Sequence, residues 1–255
     1  MRSVRTIGRI RRIQRTGAFA ALVAVLGAGC ADEQEPLIVV NSPGWQDFAC
    51  VANPDSPTTL QRGLVDVGFN TAYTLPISLL NNLASRPGTT TNTGIEDGEL
   101  QLRDVDVSLS MPQATEVIRQ VAAANSANVE FAAVLATDSL LPGAQNGVLV
   151  DVLPQATAAA FRDAILSNPN LGADAQPILA ATLVFHATRT GNSAGSVGVI
   201  DAREYTFPIE ICIGCIGRDC SGCEEESDCQ APYAGICGNA QDGPVWPTIC
   251  DPPTG

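Results

Sequence analysis

The 255-residue chain contains no lysine and one histidine, and aromatic residues make up only 5% of it. The absence of lysine excludes Schiff-base and lysine-nucleophile chemistry, because both need an ε-amino group. A single histidine also provides too little for a histidine-based metal site or a catalytic triad. Charged residues are scarce at 16%, whereas the hydrophobic fraction of 45% is ordinary for a globular protein.

Positive charge is concentrated at the N-terminus. Six of the fourteen arginines lie before residue 16, and all 27 acidic residues lie beyond residue 30. Without its first 29 residues the chain has 8 arginines against 27 acidic residues, a net charge of −19. Such a surface repels phosphate backbones, so the charge argues against nucleic acid as a partner.

The N-terminus has the three parts of a secretory signal. An arginine-rich stretch precedes the apolar run AFAALVAVL. This run is too short to span a bilayer as a helix, which takes about 20 residues. Small residues then lead to Cys30 in GAGC. The pattern resembles a bacterial lipoprotein signal, in which the cysteine thiol receives a diacylglyceryl group, although Gly27 occupies the usual leucine position. Arg11 and Arg12 also suggest a twin-arginine route, but the next residues, IQR, lack the usual Phe-Leu pair.

We therefore predict a signal peptide over 1–29, a lipid anchor at Cys30 and a tether over 30–36. Ala31 comes directly after the cysteine, and by analogy with enterobacterial sorting this favours the outer membrane over the inner. A soluble periplasmic or secreted protein is the alternative.

Residues 37–212 are predicted to form the main domain. ELQLRDVDVSLS alternates, with one slip between Leu102 and Val105 that predicts a β-bulge. PQATAAAFRDAILSN, from Pro154, predicts a helix, while 112–125 is open between helix and strand. Some seven strands with turn signals between them predict a mainly β fold. We expect an antiparallel immunoglobulin-like β-sandwich with one or two short helices and a small disulfide-rich C-terminal extension.

Residues 213–255 form that predicted extension, with few large apolar residues and six cysteines. A segment of this size cannot build its own core and needs covalent staples. Apart from Cys30, eight cysteines are available, and exported thiols pair. The predicted disulfide set is Cys50, Cys212, Cys215, Cys220, Cys223, Cys229, Cys237 and Cys250. Eight cysteines allow 105 pairings, so the pairing stays open, but a bond from Cys50 to the cysteine cluster at 212–223 would pin the tail to the main domain.

Other chemistry for the cysteines is less favoured. Paired C-x-x-C zinc knuckles usually lie about 15–20 residues apart, whereas those in CIGCIGRDCSGC lie much closer. Cys215, Cys220 and Cys223 match the start of a plant-type ferredoxin spacing. A thioredoxin-like redox pair needs a helix N-terminus to depress the thiol pKa, whereas CIGC follows a strand and has no helical pattern after it, so a redox-active pair is a minor alternative. We therefore predict no metal and no cofactor, and keep an envelope metal or iron–sulfur protein as the alternative.

No catalytic residue is predicted. GNSAG places Ser193 in a G-x-S-x-G motif, but the residues after the motif are β-like and the only histidine, His186, comes earlier. His186 is expected on the outer face of its strand with Val184 and Thr188. Asp104 and Asp106 would share one strand face as solvated carboxylates. A serine hydrolase is therefore only a second alternative.

The signal sequence, FAC at Cys50, GLVDVGFNTAYTLPISLLNNL and FPIEICIGC together resemble bacterial lipoproteins of the myxobacterial type. This resemblance implies a lipid-anchored envelope protein with a β-rich domain and a cysteine-rich tail, and no particular reaction. We predict a non-catalytic binding or structural role with an envelope protein or polysaccharide partner, for which loops 86–98 and 189–196 could supply a site.

Overall fold

The structure is a computed structural model that describes residues 35–46, 49–69, 71–84, 98–124, 127–135, 139–168, 171, 176–190, 198–216 and 236–242. Over these ranges it is mainly β, as predicted. The strands are β1 (Leu37–Asn41), β2 (Gly63–Asp66), β3 (Tyr73–Asn81), β4 (Glu99–Ser110), β5 (Glu130–Val134), β6 (Ser139–Leu140), β7 (Gln145–Leu153), β8 (Ile178–Thr190), β9 (Val199–Asp201) and β10 (Tyr205–Cys212). The helices are α1 (Thr115–Ala123) and α2 (Gln155–Leu166), and a 3₁₀ turn covers Ile236–Gly238.

The strands form two sheets. One has the order β1-β3-β7, and the other has the order β2-β10-β8-β4-β5, with β6 also paired to β4 and β9 to β8. Among the described strands every pair is antiparallel except β2 with β10, which run parallel. The predicted antiparallel pairing therefore holds with one exception, and the larger sheet is mixed.

Strand β4 matches the predicted pattern closely. Its apolar residues are buried while the residues between them face outward, which is the alternation of a sheet with one solvated face. The register against β8 shifts between Leu102 and Asp104, so the predicted bulge is confirmed. The bulge leaves Arg103 unmatched and puts Asp104 directly opposite His186.

The inner faces of both sheets and the two helices share one hydrophobic core. The ambiguous 112–125 segment contains helix α1, since Val117 and Val121 lie one turn apart and are both fully buried. Pro112 lies in the turn before this helix. Glu116 and Arg119 form an ion pair on the exposed side. Helix α2 begins directly after Pro154, as predicted, and buries Phe161 in the same core.

Pro76 lies within β3, the middle strand of the smaller sheet. Its carbonyl oxygen accepts a hydrogen bond from Ser42 Oγ at 2.8 Å, so this side of the residue faces the end of β1. The paired register of β1 has already ended at Asn41 opposite Ser78. The N–H that proline lacks would point to the same side, where no ladder bond is required.

Residues 236–242 belong to the predicted tail but are built into the main domain. Ala240 O accepts a hydrogen bond from Asp66 N at 3.0 Å, and Asp242 N donates to Leu64 O at 2.9 Å. This segment therefore covers the side of β2 that does not face β10. The buried Gln241 side chain bonds both backbone groups of Thr74, accepting from its N–H and donating to its carbonyl, each at 2.7 Å.

Candidate functional site

The outer face of the larger sheet carries a groove of about 420 Å³. It crosses β5, β4 and β8 and reaches the turn before β10. Its lining includes Asp106, Glu130, Thr182, Val184 and Glu204. Three of the nine lining residues are carboxylic acids and none is basic, so the groove is acidic.

His186 lies on this face beside the groove, on β8. Its Nδ1 lies 2.7 Å from Asp201 Oδ1, and its Nε2 lies 3.1 Å from Asp106 Oδ2. Pairing of β9 with β8 places Asp201 directly opposite His186, while Asp106 is on β4, diagonally across. Both ring nitrogens are therefore held by carboxylates from neighbouring strands.

The hydrogen bond to Asp201 raises the pKa of His186 above its ordinary value, and the bond to Asp106 adds to this against the opposing effect of desolvation. An imidazolium donates from both nitrogens, which matches a carboxylate at each. The histidine side chain is 19% exposed, whereas the Asp106 and Asp201 side chains are 64% and 61% exposed. The carboxylates thus keep oxygen atoms open to solvent on either side of the His186 ring.

The predicted outward orientation of His186 is confirmed, since Leu183, Phe185 and Ala187 are fully buried between the outward-facing positions of β8. Asp104 and Asp106 share the outer face, as expected. Asp201 was not among the predicted site residues. The glycines and serines of 191–197 are typical of a hairpin turn. A prediction that used this turn to pair the flanking segments would have placed Asp201 opposite His186.

A second polar cluster lies around Asp242, inside the domain. Asp242 Oδ2 accepts hydrogen bonds from Tyr73 Oη at 2.8 Å and Trp45 Nε1 at 3.1 Å, and Oδ1 accepts from Leu64 N at 2.8 Å. Burial raises the pKa of Asp242, against the lowering effect of these three donors. Burial, together with the nearby carboxylate, also raises the pKa of Tyr73 well above its usual value. The cluster joins residues from distant parts of the chain and has a structural role.

A third cluster surrounds the buried side chain of Asp66, at the end of β2. Asp66 Oδ1 accepts hydrogen bonds from the backbone N–H groups of Gly68 at 2.9 Å and Gly214 at 2.8 Å, and Oδ2 accepts from Ile216 N at 3.0 Å. Gly214 has φ +76°, a left-handed conformation that glycine adopts without strain. One carboxylate thus shapes the turn after β10.

The described cysteines form two disulfides, Cys50–Cys237 and Cys212–Cys215. The first connects the tail to the main domain, although through Cys237 and not through the 212–223 cluster. In the part of the chain that is described, only Asp66, Cys212 and Cys215 form a group with metal-binding atoms within 4.8 Å of one another. Their two sulfur atoms are bonded to each other and so are not thiolate ligands.

Several predicted positions lie outside the described residues. They are Cys30, Cys220, Cys223, Cys229, Cys250, Ser193 and nearly all of loops 86–98 and 189–196. Within the described ranges, neither helix has the length and apolar character needed to cross a membrane.

No protein-family model, curated protein or solved structure matches the chain. The interpretation of the site therefore depends on its own chemistry.

Proposed function

We propose that the chain is an exported cell-envelope protein, lipid-anchored at Cys30, that binds an amine-bearing partner on the outer face of its larger sheet. The observation behind this is the acidic groove, lined by Asp106, Glu130 and Glu204 and flanked by Asp201. The backbones of Asp106 and Glu130 are held in paired strands, so less ordering entropy is lost on binding than in a free loop. Their charge also speeds the encounter with a cation.

The proposed role is non-catalytic. A general base needs a nitrogen lone pair that faces a nucleophile or a substrate proton. Both nitrogens of His186 are instead held by Asp201 and Asp106, and its raised pKa favours the protonated form. In this setting the histidine is better suited to hold two carboxylates in place than to accept a proton.

Export and anchoring are proposed from the signal-like N-terminus and the small residues before Cys30. The disulfides agree with an oxidising compartment. We also retain two finer proposals: an immunoglobulin-like arrangement of the two sheets, and a relationship to myxobacterial-type lipoproteins. Two sheets around one core are compatible with the first, although the parallel β2–β10 pair departs from that pattern.

The missing lysine makes the binding proposal sharply testable. Carbodiimide coupling joins a carboxylate to an amine without a spacer, and no side chain of this protein carries an amine. Apart from the α-amino group, every such cross-link must therefore connect the chain to another molecule. We expect coupling in native envelopes to give partner adducts at Asp106, Glu130 or Glu204.

The double variant Glu130→Gln/Glu204→Gln should lose most of these adducts, while Asp163→Asn, an exposed change on α2, should keep them. Adducts that are equally frequent at Asp163, or that survive the double variant, would rule out the groove as the binding surface. Intact mass of the membrane-extracted protein tests the anchor separately, because a diacylglyceryl group on Cys30 adds a defined mass. An unmodified Cys30 would contradict lipidation without affecting the binding test.

A further inference from the structure

The Cys212–Cys215 disulfide lies where β10 ends and the turn over 213–216 begins. We propose that it is a redox-active disulfide that exchanges two electrons with a dithiol partner, beside the buried Asp66 carboxylate. The carboxylate oxygen and the two sulfur atoms lie within 4.8 Å of one another. This activity goes beyond the binding role and does not depend on it.

The Cys212–Cys215 bond contributes little to the stability of the fold. A disulfide stabilises mainly by restricting the unfolded chain, and this effect grows with the length of the loop that it closes. Cys212 and Cys215 are separated by 3 positions, whereas Cys50 and Cys237 are separated by 187. The short bond therefore constrains the unfolded chain far less than the long one.

The turn is also held without the bond. The Asp66 carboxylate accepts the backbone N–H groups of Gly214 and Ile216, and these contacts do not involve sulfur. Cys212 Sγ lies 3.5 Å from the carbonyl oxygen of Val65, which can accept from the thiol after reduction. Since both the turn and the buried thiol have partners in the reduced state, the pair can open while the fold is retained.

The two sulfurs differ in access. Cys212 is 2% exposed, whereas Cys215 is half-buried at the surface of the turn. A thiolate of the partner dithiol therefore attacks Cys215 Sγ, the bond between Cys215 and Cys212 breaks, and Cys212 leaves as a thiolate. The partner's second thiolate then attacks its own sulfur in the mixed disulfide and releases Cys215. The partner is oxidised to a disulfide, and its two electrons reduce the cysteine pair. The two released cysteine thiolates take up two protons from solvent, which balance the two that the partner dithiol gave up on ionising.

Asp66 has a defined part in this exchange. The buried Asp66 carboxylate next to Cys212 disfavours a second negative charge. The leaving Cys212 thiolate therefore takes up a proton from solvent, and in the reverse direction Cys212 loses that proton to solvent before its thiolate attacks the mixed disulfide at Cys215. Exchange should therefore be faster, and its pH profile should change, when the carboxylate is replaced by a neutral amide.

The test equilibrates the full chain with mixtures of reduced and oxidised dithiothreitol, alkylates free thiols and assigns them by peptide mass spectrometry. We expect Cys212–Cys215 to open reversibly at a reductant-to-oxidant ratio about a hundredfold lower than Cys50–Cys237, with an unchanged circular dichroism spectrum. In single variants, Cys215 in Cys212→Ser should react with a small disulfide about tenfold faster than Cys212 in Cys215→Ser. Peptide assignment separates these thiols from those of the remaining cysteines.

Asp66→Asn keeps one acceptor oxygen for the turn and should speed exchange with a shifted pH profile. Glu210→Gln removes a negative charge two positions before Cys212 on β10, where the side chain pairs with Arg62 and does not contact the turn, and should exchange at the wild-type rate. Three outcomes would overturn the proposal: the pair opens only together with Cys50–Cys237, its opening unfolds the chain, or the reduced pair takes up zinc and no longer reoxidises. Equal rates for Asp66→Asn and wild type would remove Asp66 from the mechanism.

Discussion

Cys50 and Cys237 are bonded across 187 positions of sequence, and in the same two parts of the chain Asp242 accepts a hydrogen bond from the indole of Trp45. The early part of the chain, before β2, is thus tied both covalently and by a polar contact to residues that come after β10. Together these links make 236–242 part of the main domain.

Removal of this disulfide should be costly. The double variant Cys50→Ala/Cys237→Ala is expected to lower the free energy of unfolding by about 2–5 kcal/mol, because a long loop in the unfolded chain is no longer closed. Urea titration followed by circular dichroism measures the change. The matched double variant Cys212→Ala/Cys215→Ala opens a much shorter loop and should lose at most about 2 kcal/mol. Equal losses would show that loop length does not govern the two bonds.

Asp242→Asn should destabilise the fold by about 1–3 kcal/mol, because an amide nitrogen cannot accept the hydrogen bonds that reach Oδ2 from Tyr73 and Trp45. The backbone is not the cause, since asparagine tolerates the positive φ found at this position. Denaturant unfolding measures the loss. Asp55→Asn, at an exposed loop position, serves as control and should be neutral. A neutral Asp242→Asn would mean that the buried donors are satisfied in another way.

His186 should make stability depend on pH. Because its folded-state pKa is raised, its contribution is fully present below its ordinary pKa and is lost as pH rises through the folded-state value. We expect wild type to exceed His186→Gln in unfolding free energy at about pH 5.5, with a smaller difference at about pH 8.5. Comparing the two proteins at each pH cancels the contribution of Asp242, which also changes with pH. If the difference in unfolding free energy between wild type and His186→Gln grows with pH, His186 is not stabilised by its hydrogen bonds to Asp106 and Asp201.

Gly147 on β7 should not tolerate a side chain. A Cβ at this position would lie 1.8 Å from the carbonyl oxygen of Ala52, so the backbone of the 49–56 loop would have to move. Gly147→Ala is expected to cost about 1–3 kcal/mol in thermal or urea unfolding. Gly198→Ala is the matched control, because a Cβ there meets nothing within 4 Å, and should change stability by less than about 1 kcal/mol. Similar stabilities for both variants would argue against the close approach of Ala52.

Local patterns predicted much of the fold. The alternation of β4, its bulge, helix α2 and the outward face of His186 all result from spacing along a single element. Features that depend on distant partners were not predicted. The parallel pairing of β2 with β10, and the insertion of Gln241 beside Thr74, join residues far apart in sequence. Neither leaves a local periodic signal.

The candidate site was also predicted only where it depends on local spacing. Asp104 and Asp106 could be placed on one face from strand periodicity alone. Their position relative to His186 depends on the β4–β8 register. Asp201 lies on β9, a separate short strand that pairs with β8. The acidic groove is therefore a product of strand pairing, which composition and motif spacing do not encode directly.

The position of β2 has a consequence for the order in which the sheet assembles. Both neighbours of this strand, β10 and residues 240–242, are synthesised long after it. Until they emerge, Gly63–Asp66 has unsatisfied backbone groups on two sides and is open to pairing with other chains. Contacts of such high sequence separation also slow folding. The growing chain must therefore keep this early strand unpaired until residues 205–242 have been made.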